Sequence, residues 1–499
     1  MASSQHRVSF SPVNAVEQLH QQGKTLQEAG RLEEAREAYQ QSLSLSKRPE
    51  LKTLANLIAL EIEADQLEQG EDWFKLGITQ LAELLRVSDA NSEGISLLLN
   101  SGLQLKLHRQ QFILALRLGQ WLMQLQPTSS ATTNLAVSLM WSGKPIAAVR
   151  AQTMGLKLAN PEQAKHLLWQ QAGSADELQL LHIKLMNLAT YWLALDPLNP
   201  DGWHLHESRL AINKQVSCPA PWEGLWDGSA TSELVIWDEQ GYGDCLQSLR
   251  WVSLASQRCQ HVRLMLRPEL LRLVQERLTL PSHCKAQALD GQTMPWKLGL
   301  PHAPVMALAR RLHQGDVPQP SGDAYLSRRT AQRAYQKRLR IGLTWAAGTK
   351  DNAAGRRAAR LRSMPLDLIK DWLIQHPLRE QLEIVNLQHP NHPEYCCEFD
   401  EAALQHDGDW CSTAEVLDHL DGVISVDTAM VHLSGAMGLP TLILLNQLCD
   451  WRWSHHGETT FWYESCRLAR CKALNDWPSA LEQADQWLQS LAKSCASCW

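Results

Sequence analysis

The 499-residue chain has no cysteine before Cys218 and no apolar run long enough to cross a bilayer. Its first residues, MASSQHRVSFSP, lack a basic segment followed by an apolar core, so no secretion signal is expected. The most apolar stretch, VISVDTAMVHLSGAMGLPTLILL, is broken by Asp427 and His432, which argues against a membrane span. Twelve cysteines, all at or beyond Cys218 and without an export signal, read as reduced thiols rather than a disulfide framework. An excess of positive charge is missing too. A formal net charge of −6, with 20% charged and 44% hydrophobic residues, excludes wholesale disorder and a nucleic-acid coat. The expectation is a cytoplasmic protein without a nucleic-acid partner, built from roughly three domains of ~150 residues.

The one-sided cysteine distribution marks a boundary. The cysteine-free part reads as one helical pattern after another. Near the junction CPAPWEGLWDGSATS clusters Pro219, Pro221, Gly224 and Gly228, and helical periodicity stops. The sequence therefore predicts a helical-repeat domain over 1–215 and a linker over 216–230. The segment AVEQLHQQGKTLQEAGRLEEAREAYQQSLSL resembles a tetratricopeptide repeat. Small Gly23 and Ala35 would let two helices approach, Tyr39 would fill the gap between them, and Gly30 would end the first helix. NLAVSLMWSGKPIAAVRAQTMGLKLANP keeps the same helix, Ser-Gly turn and helix arrangement. Such repeats bury their apolar faces only by stacking, which predicts a tetratricopeptide-like α-solenoid that offers a surface to a protein or peptide partner.

Beyond the linker, ELVIW, HVRLML and CKAQAL alternate with helical segments and predict a first Rossmann-like lobe over 231–335. RIGLTW, LEIVNLQ, GVISV and TLILL do the same for a second lobe over 336–491, followed by a tail over 492–499. The fold class is thus α + α/β. QGDVPQPSGDAYL, rich in Pro and Gly, would join the two lobes.

Three loops at predicted strand ends carry candidate chemistry. In EQGYGD, Gly241 and Gly243 permit a tight turn and close backbone approach, and Asp244 either caps a helix or faces a substrate. From Lys337 to Arg362 there are eight Lys or Arg and one acid, Asp351, a pattern suited to a diphosphate or to a solvated surface loop. Lys350 and Arg362 are the individual candidates. In GVISVDTAMVHLSGAMGLPTLILL, Asp427 ends a strand and Thr428 caps a helix whose first amides would face the cleft. His432, four residues after Thr428, shares that helical face and could hydrogen-bond phosphate or ribose.

These three motifs, EQGYGD, the TWAAG to RS segment and SVDTAMVHLSGAMGLP, have the order and approximate spacing of a known group. They resemble those of bacterial tetratricopeptide proteins bearing a glycosyltransferase domain similar to the ADP-heptose:lipopolysaccharide heptosyltransferases, glycosyltransferase family 9-like. The resemblance covers about Glu233 to Leu491, and the layout also looks like protein O-GlcNAc transferase. It implies a GT-B fold of two Rossmann-like lobes, with the donor nucleotide on the C-terminal lobe and the acceptor on a shortened N-terminal lobe. It also implies sugar transfer from a nucleoside-diphosphate sugar to a hydroxyl of a glycan, lipopolysaccharide or protein. On that basis Asp244 falls on the general base, and Asp427, Thr428, Ala429 and His432 fall on the donor-diphosphate motif, with Lys350 or Arg362 as its basic partner. Ala429 stands where the heptosyltransferases have glycine. The resemblance implies no metal and no cofactor, and no Asp-X-Asp run stands out as a metal motif. Peripheral association with an inner membrane stays open. The alternative is a non-catalytic tetratricopeptide scaffold carrying a degenerate GT-B domain.

Three further clusters lie outside these loops. HPNHPEYCCEFD offers His389, His392, Cys396 and Cys397 but matches no closed zinc spacing. The terminal Cys495 and Cys498 form a CxxC with no helix after it. WRWSHHGETTFWYE groups Trp451, Trp453, Trp462 and Tyr463, and Trp451 and Arg452 join Gly241 and Gly243 as donor-pocket candidates.

Overall fold

A computed structural model describes residues 12–86, 92–159, 175–212, 224–289, 298–313, 315–329, 338–349, 351–392, 395 and 408–497. The chain divides into two compact units, Met1–Ala172 with Lys350–Arg357, and Gly173–Thr349 with Ala358–Trp499.

The first unit consists of paired helices. α1 (Pro12–Glu28) packs on α2 (Leu32–Leu45), α3 (Leu51–Glu63) on α4 (Leu67–Arg86), α5 (Ser92–His108) on α6 (Phe112–Leu125), and α7 (Ser129–Trp141) on α8 (Pro145–Ala159). The first helix of each pair also packs on the first helix of the next. Each pair turns through one residue in the left-handed region: Gly30 (φ 75°), Asp65 (φ 60°), Gln110 (φ 58°) and Gly143 (φ 71°). The same two hydrogen bonds recur at every turn. Arg31 N donates to Leu26 O at 2.9 Å and Gly30 N to Gln27 O at 2.9 Å; Gln111 N donates to Lys106 O at 2.8 Å and Gln110 N to Leu107 O at 3.1 Å. This is the αL stop that satisfies the last helical carbonyls. Because Asp65 and Gln110 replace glycine at two turns, only the first and last are visible as sequence signals.

Glycines set the helix spacing. A Cβ on Gly23 would lie 2.6 Å from the Tyr39 ring, and one on Gly102 would lie 2.1 Å from the Phe74 ring. Buried Glu61 accepts from Arg36 Nε at 2.9 Å, and half-buried Glu71 accepts from Lys106 Nζ at 2.7 Å.

The second unit begins with α9 (Ala175–Leu195), α10 (Pro200–His206) and α11 (Arg209–Ile212). These helices were expected to belong with 1–215. They count instead with the sheets, held by a buried Arg209–Glu239 ion pair (Nε to Oε2 2.9 Å) and by Trp203 edge-on to Trp451 at 5.5 Å. Most of the expected linker, residues 216–223, lies outside the described residues.

Nine strands follow among the described residues, in two parallel sheets. The first sheet is built by β1 (Thr231–Trp237), α12 (Tyr242–Ser248), α13 (Val252–Ser256), β2 (Cys259–Leu266), α14 (Pro268–Arg277), β3 (Cys284–Ala288), β4 (His302–Pro304) and α15 (Leu308–Leu312). Its strand order is β3-β2-β1-β4. The second sheet is built by β5 (Leu339–Thr344), α16 (Ala353–Arg362), α17 (Leu366–Gln375), β6 (Leu382–Asn386), α18 (Trp410–Leu417), β7 (Gly422–Val426), α19 (Ala429–Ala436), β8 (Thr441–Leu445), β9 (Cys466–Arg470) and α20 (Trp477–Ser497). Its order is β6-β5-β7-β8-β9. All seven expected strands fall on observed ones. β4, three residues with a proline, and β9, with exposed arginine between buried residues, were not anticipated.

The second sheet buries Ile341 and Leu343, Ile424 and Val426, and Leu442 and Leu444 in one core with Trp345, Trp477 and the apolar face of α20. In each sheet the order reverses beside its first strand, at β1/β4 and at β5/β7. Ligands of such sheets settle beyond the carboxyl ends of strands at that reversal.

Overpacking at Gly102 tests the contact between α4 and α5, where one helix pair meets the next. Gly102→Ala is expected to destabilise the first unit by about 1–3 kcal/mol in urea unfolding. An unchanged midpoint would mean that Phe74 does not pack there.

Candidate functional site

A cleft of about 360 Å³ opens where the carboxyl ends of β5, β6 and β7 meet the first sheet's helices. Thr344, Ala346 and Gly348 line it after β5, Leu387, Gln388, His389 and His392 after β6, and Thr428, Ala429 and Met430 after β7. Gly408, Asp409, Trp410 and Thr413 close one side, and Tyr242 and Glu269 come from α12 and α14. The cleft therefore coincides with the β5/β7 reversal.

Its walls are organised by side chain to backbone bonds. The Gln388 side chain ties the β5 loop like an extra strand: it accepts from Ala346 N at 3.1 Å and donates to Ala346 O at 3.1 Å. His392 Nε2 lies 3.2 Å from Ala347 O. Thr428 caps α19 by accepting from Met430 N at 3.3 Å, and its hydroxyl lies 3.2 Å from Ser425 Oγ. The amides of this first turn belong to residues that line the cleft, and a helix start of this kind suits an anion. Asp427 is buried beneath it. Burial raises the Asp427 carboxyl against the lowering effect of Arg362, whose guanidinium donates to Asp427 O at 3.4 Å.

The structure brings Asp244, Gly243, His432 and Arg452 together, beside the cleft rather than on its wall. Asp244 accepts from Gly241 N at 2.9 Å, so it does cap its helix, and its other oxygen accepts from Arg452. Arg452 also donates to Gln247 Oε1 at 2.8 Å and to Asp450 Oδ1 at 2.9 Å. Burial would lower the Arg452 pKa, but the carboxylates of Asp450 and Asp244 outweigh it and hold the guanidinium charged. Strain in EQGYGD falls on Gln240 (φ 61°) and not on either glycine. Gly243 serves close approach: a Cβ there would lie 2.8 Å from His432 Cδ2 and 3.3 Å from Ala429 Cα.

His432 is expected from sequence to reach phosphate or ribose. Here it is buried, with Nδ1 2.9 Å from the Tyr463 hydroxyl and its ring stacked on Trp453 at 5.4 Å, and it does not line the cleft. Trp451 is likewise packed, against Trp203, His206 and Trp462. Neither Trp451 nor Arg452 borders the cleft, because the turn that carries them is held by α10 and α12. Lys350, Cys396, Cys397 and Cys498 lie outside the described residues.

The basic segment is divided between uses. Arg338 donates to Leu382 O at 3.0 Å and Arg340 to Glu383 Oε1 at 2.7 Å, fastening β5 to β6. In the first unit, Arg356 donates to Glu63 O at 2.6 Å at the end of α3, and Arg357 lies 5.7 Å over the Trp141 ring. Arg362 alone among these five is beside Asp427 and Thr428. Cleft residues missed from sequence are Tyr242, Glu269, Gln388, Trp410 and Thr413. Gln388 was within reach of the same strand-end rule that found Thr428. His389 and His392 were weighed only as metal ligands. Asp409, in an Asp407-Gly408-Asp409 run, caps α18 by accepting from Cys411 N at 2.8 Å and pairs with Arg272, while Asp407 lies outside the described residues.

No protein-family model and no curated protein matches the sequence. Among solved structures, the chain is similar to E. coli ADP-heptose lps heptosyltransferase II, with a TM-score of 0.35 and 11% identity over 52% of this chain and 98% of that one. It is also similar to a glycosyl transferase family 9 protein from Veillonella parvula, with a TM-score of 0.36 and 10% identity over 54% and 99% of the two chains. A third similar structure is E. coli heptosyltransferase WaaC with ADP, with a TM-score of 0.31 and 14% identity over 52% and 98%. Among the described residues no helix is long and apolar enough to cross a membrane.

Burial makes the His432 environment sensitive to acid. Desolvation, helped by Arg452 and opposed by Asp450, holds its pKa down to about 3 against an ordinary 6.5. Between those values the unfolded chain binds a proton that the folded chain does not. The stabilisation is complete above the ordinary value and is lost as pH falls towards the folded one. Buried His206 is shifted the same way. Unfolding measured from about pH 7.5 to about pH 5 should show falling stability, with a slope that flattens in His432→Gln by up to about 1.4 kcal/mol per pH unit. The same slope in the variant would contradict a neutral, buried His432.

Proposed function

We propose that this protein is a glycosyltransferase that moves a sugar from a nucleoside-diphosphate sugar to a hydroxyl acceptor. The observation that carries the reading is the first turn of α19, where Thr428, Ala429 and Met430 line the cleft at the β5/β7 reversal. Backbone amides there would receive the diphosphate oxygens and Arg362 would add positive charge, so the leaving diphosphate would be stabilised without a metal. Asp427 would hold the loop from beneath. The lining is mixed, with Leu387 and Trp410 supplying apolar surface and Gln388 and Thr413 supplying polar groups, as a nucleotide requires.

Asp244 is the proposed general base. It stands two residues beyond Tyr242 of the cleft wall, and each carboxylate oxygen keeps a lone pair beyond the bonds to Gly241 N and Arg452. The Asp244–Arg452 ion pair also favours a second reading, in which the carboxylate only braces α12 and the cleft binds a ligand without turnover. The helix pairs of the first unit would form a tetratricopeptide-like solenoid holding a protein partner, and the whole would work in the cytoplasm.

Calorimetry against adenosine, uridine, guanosine, cytidine and thymidine diphosphates is expected to find one that binds. No binding by any would remove the nucleotide reading. With the matching nucleotide-sugar, Asp244→Asn should keep affinity within about twofold and slow the release of nucleoside diphosphate by roughly 10²–10⁴-fold. Wild-type protein that binds but never releases product would favour the second reading.

A further inference from the structure

Glu269 stands out on the cleft wall. It lies in the first turn of α14, where the helix dipole already favours an acid. The dipole does not explain its surroundings: Oε2 is buried and has no hydrogen-bond donor. A carboxylate oxygen removed from water without a donor costs stability, and such groups persist where a ligand completes them. Its neighbour is Tyr242, whose phenol pKa is raised by burial, then by the Glu269 charge, and further by a side-chain hydrogen bond to Glu269, so that the undonated atom is Oε2 and not the whole carboxylate.

Tyr242 is tied to the end of β1. Asp238, at the end of β1, accepts from Arg267 Nε at 2.6 Å and Nη2 at 2.9 Å, and the Arg267 guanidinium lies 4.2 Å over the Tyr242 ring. Tyr242 in turn meets Trp410 at 5.3 Å, ring to ring. A carboxylate beside two aromatic rings is the chemistry that holds a sugar, with hydroxyls donating to the acid and C–H faces lying on the rings.

We infer that Glu269 accepts hydrogen bonds from hydroxyls of the sugar being transferred, with Tyr242 and Trp410 forming the side of that subsite. This rests on the nucleotide-sugar reading. The phosphate-binding turn belongs to the second sheet's β7 to α19 connection, whereas Glu269 and Tyr242 belong to the first sheet's helices. A donor anchored by its diphosphate on α19 would extend its sugar, not its ribose, towards them.

The test titrates wild type, Glu269→Gln and Glu269→Ala with the nucleoside diphosphate that binds wild type and with its nucleotide-sugar. A charged hydrogen bond lost to a hydroxyl predicts roughly 10–100-fold weaker binding of the nucleotide-sugar in both variants, with the diphosphate unchanged within about twofold. Melting temperatures should be unchanged or raised, since the variants lose a charge with one oxygen buried without a donor. Equal weakening for both ligands would assign Glu269 to the ribose and overturn the inference, as would no weakening of either. Failure of every nucleoside diphosphate to bind wild type would instead remove the reading beneath it, and the sugar subsite with it.

Discussion

The arrangement of the second unit depends on one close approach. Gly243, in the first turn of α12, has no side chain, and its backbone lies against Ala429 and the His432 ring at the start of α19. Any Cβ there would push the two helix starts apart and withdraw Tyr242 from the cleft wall opposite Thr428. Around this contact, Arg452 joins Asp244 of α12 to Asp450 of the turn after β8, and the Tyr463 hydroxyl fixes the His432 ring. The two sheets are thereby made to share one opening.

Charge follows the same logic of division. The segment from Lys337 to Arg362 looks like a single cationic patch, yet Arg338 and Arg340 stitch strands and Arg356 satisfies carbonyls at the end of α3. Among the described residues of the segment, Arg362 is the one beside the amides of α19. A half-buried Arg250 shows how positive charge goes into packing, with its guanidinium 4.9 Å from the Tyr325 ring and 4.9 Å from the Tyr463 ring and donating to Trp462 O at 2.7 Å.

Strand runs such as GVISV and TLILL were legible because both faces of their sheet are buried, leaving unbroken apolar sequence. The turn chemistry of the first helix pair was legible in Gly23, Gly30 and Tyr39. Asp65 and Gln110 hid the middle turns, since the same left-handed geometry is written there without glycine. At the site, the start of α19 was legible from Asp427 and Thr428, whereas the partners of His432 and Trp451 were not. Periodicity says that a side chain lies on a helical face but not what that face meets. Glu269 carried no signal, because an acid in a first helical turn is ordinary and only tertiary structure buries one of its oxygens without a donor.

The central claim is that the first turn of α19 receives a diphosphate. Amide hydrogen exchange of the full chain, with and without a saturating nucleoside diphosphate, tests it directly. The account predicts slowed exchange over Val426–His432 and over Thr344–Gly348, with the first unit's helices unchanged. A ligand that binds but leaves Ala429 and Met430 exchanging at their original rates would contradict it.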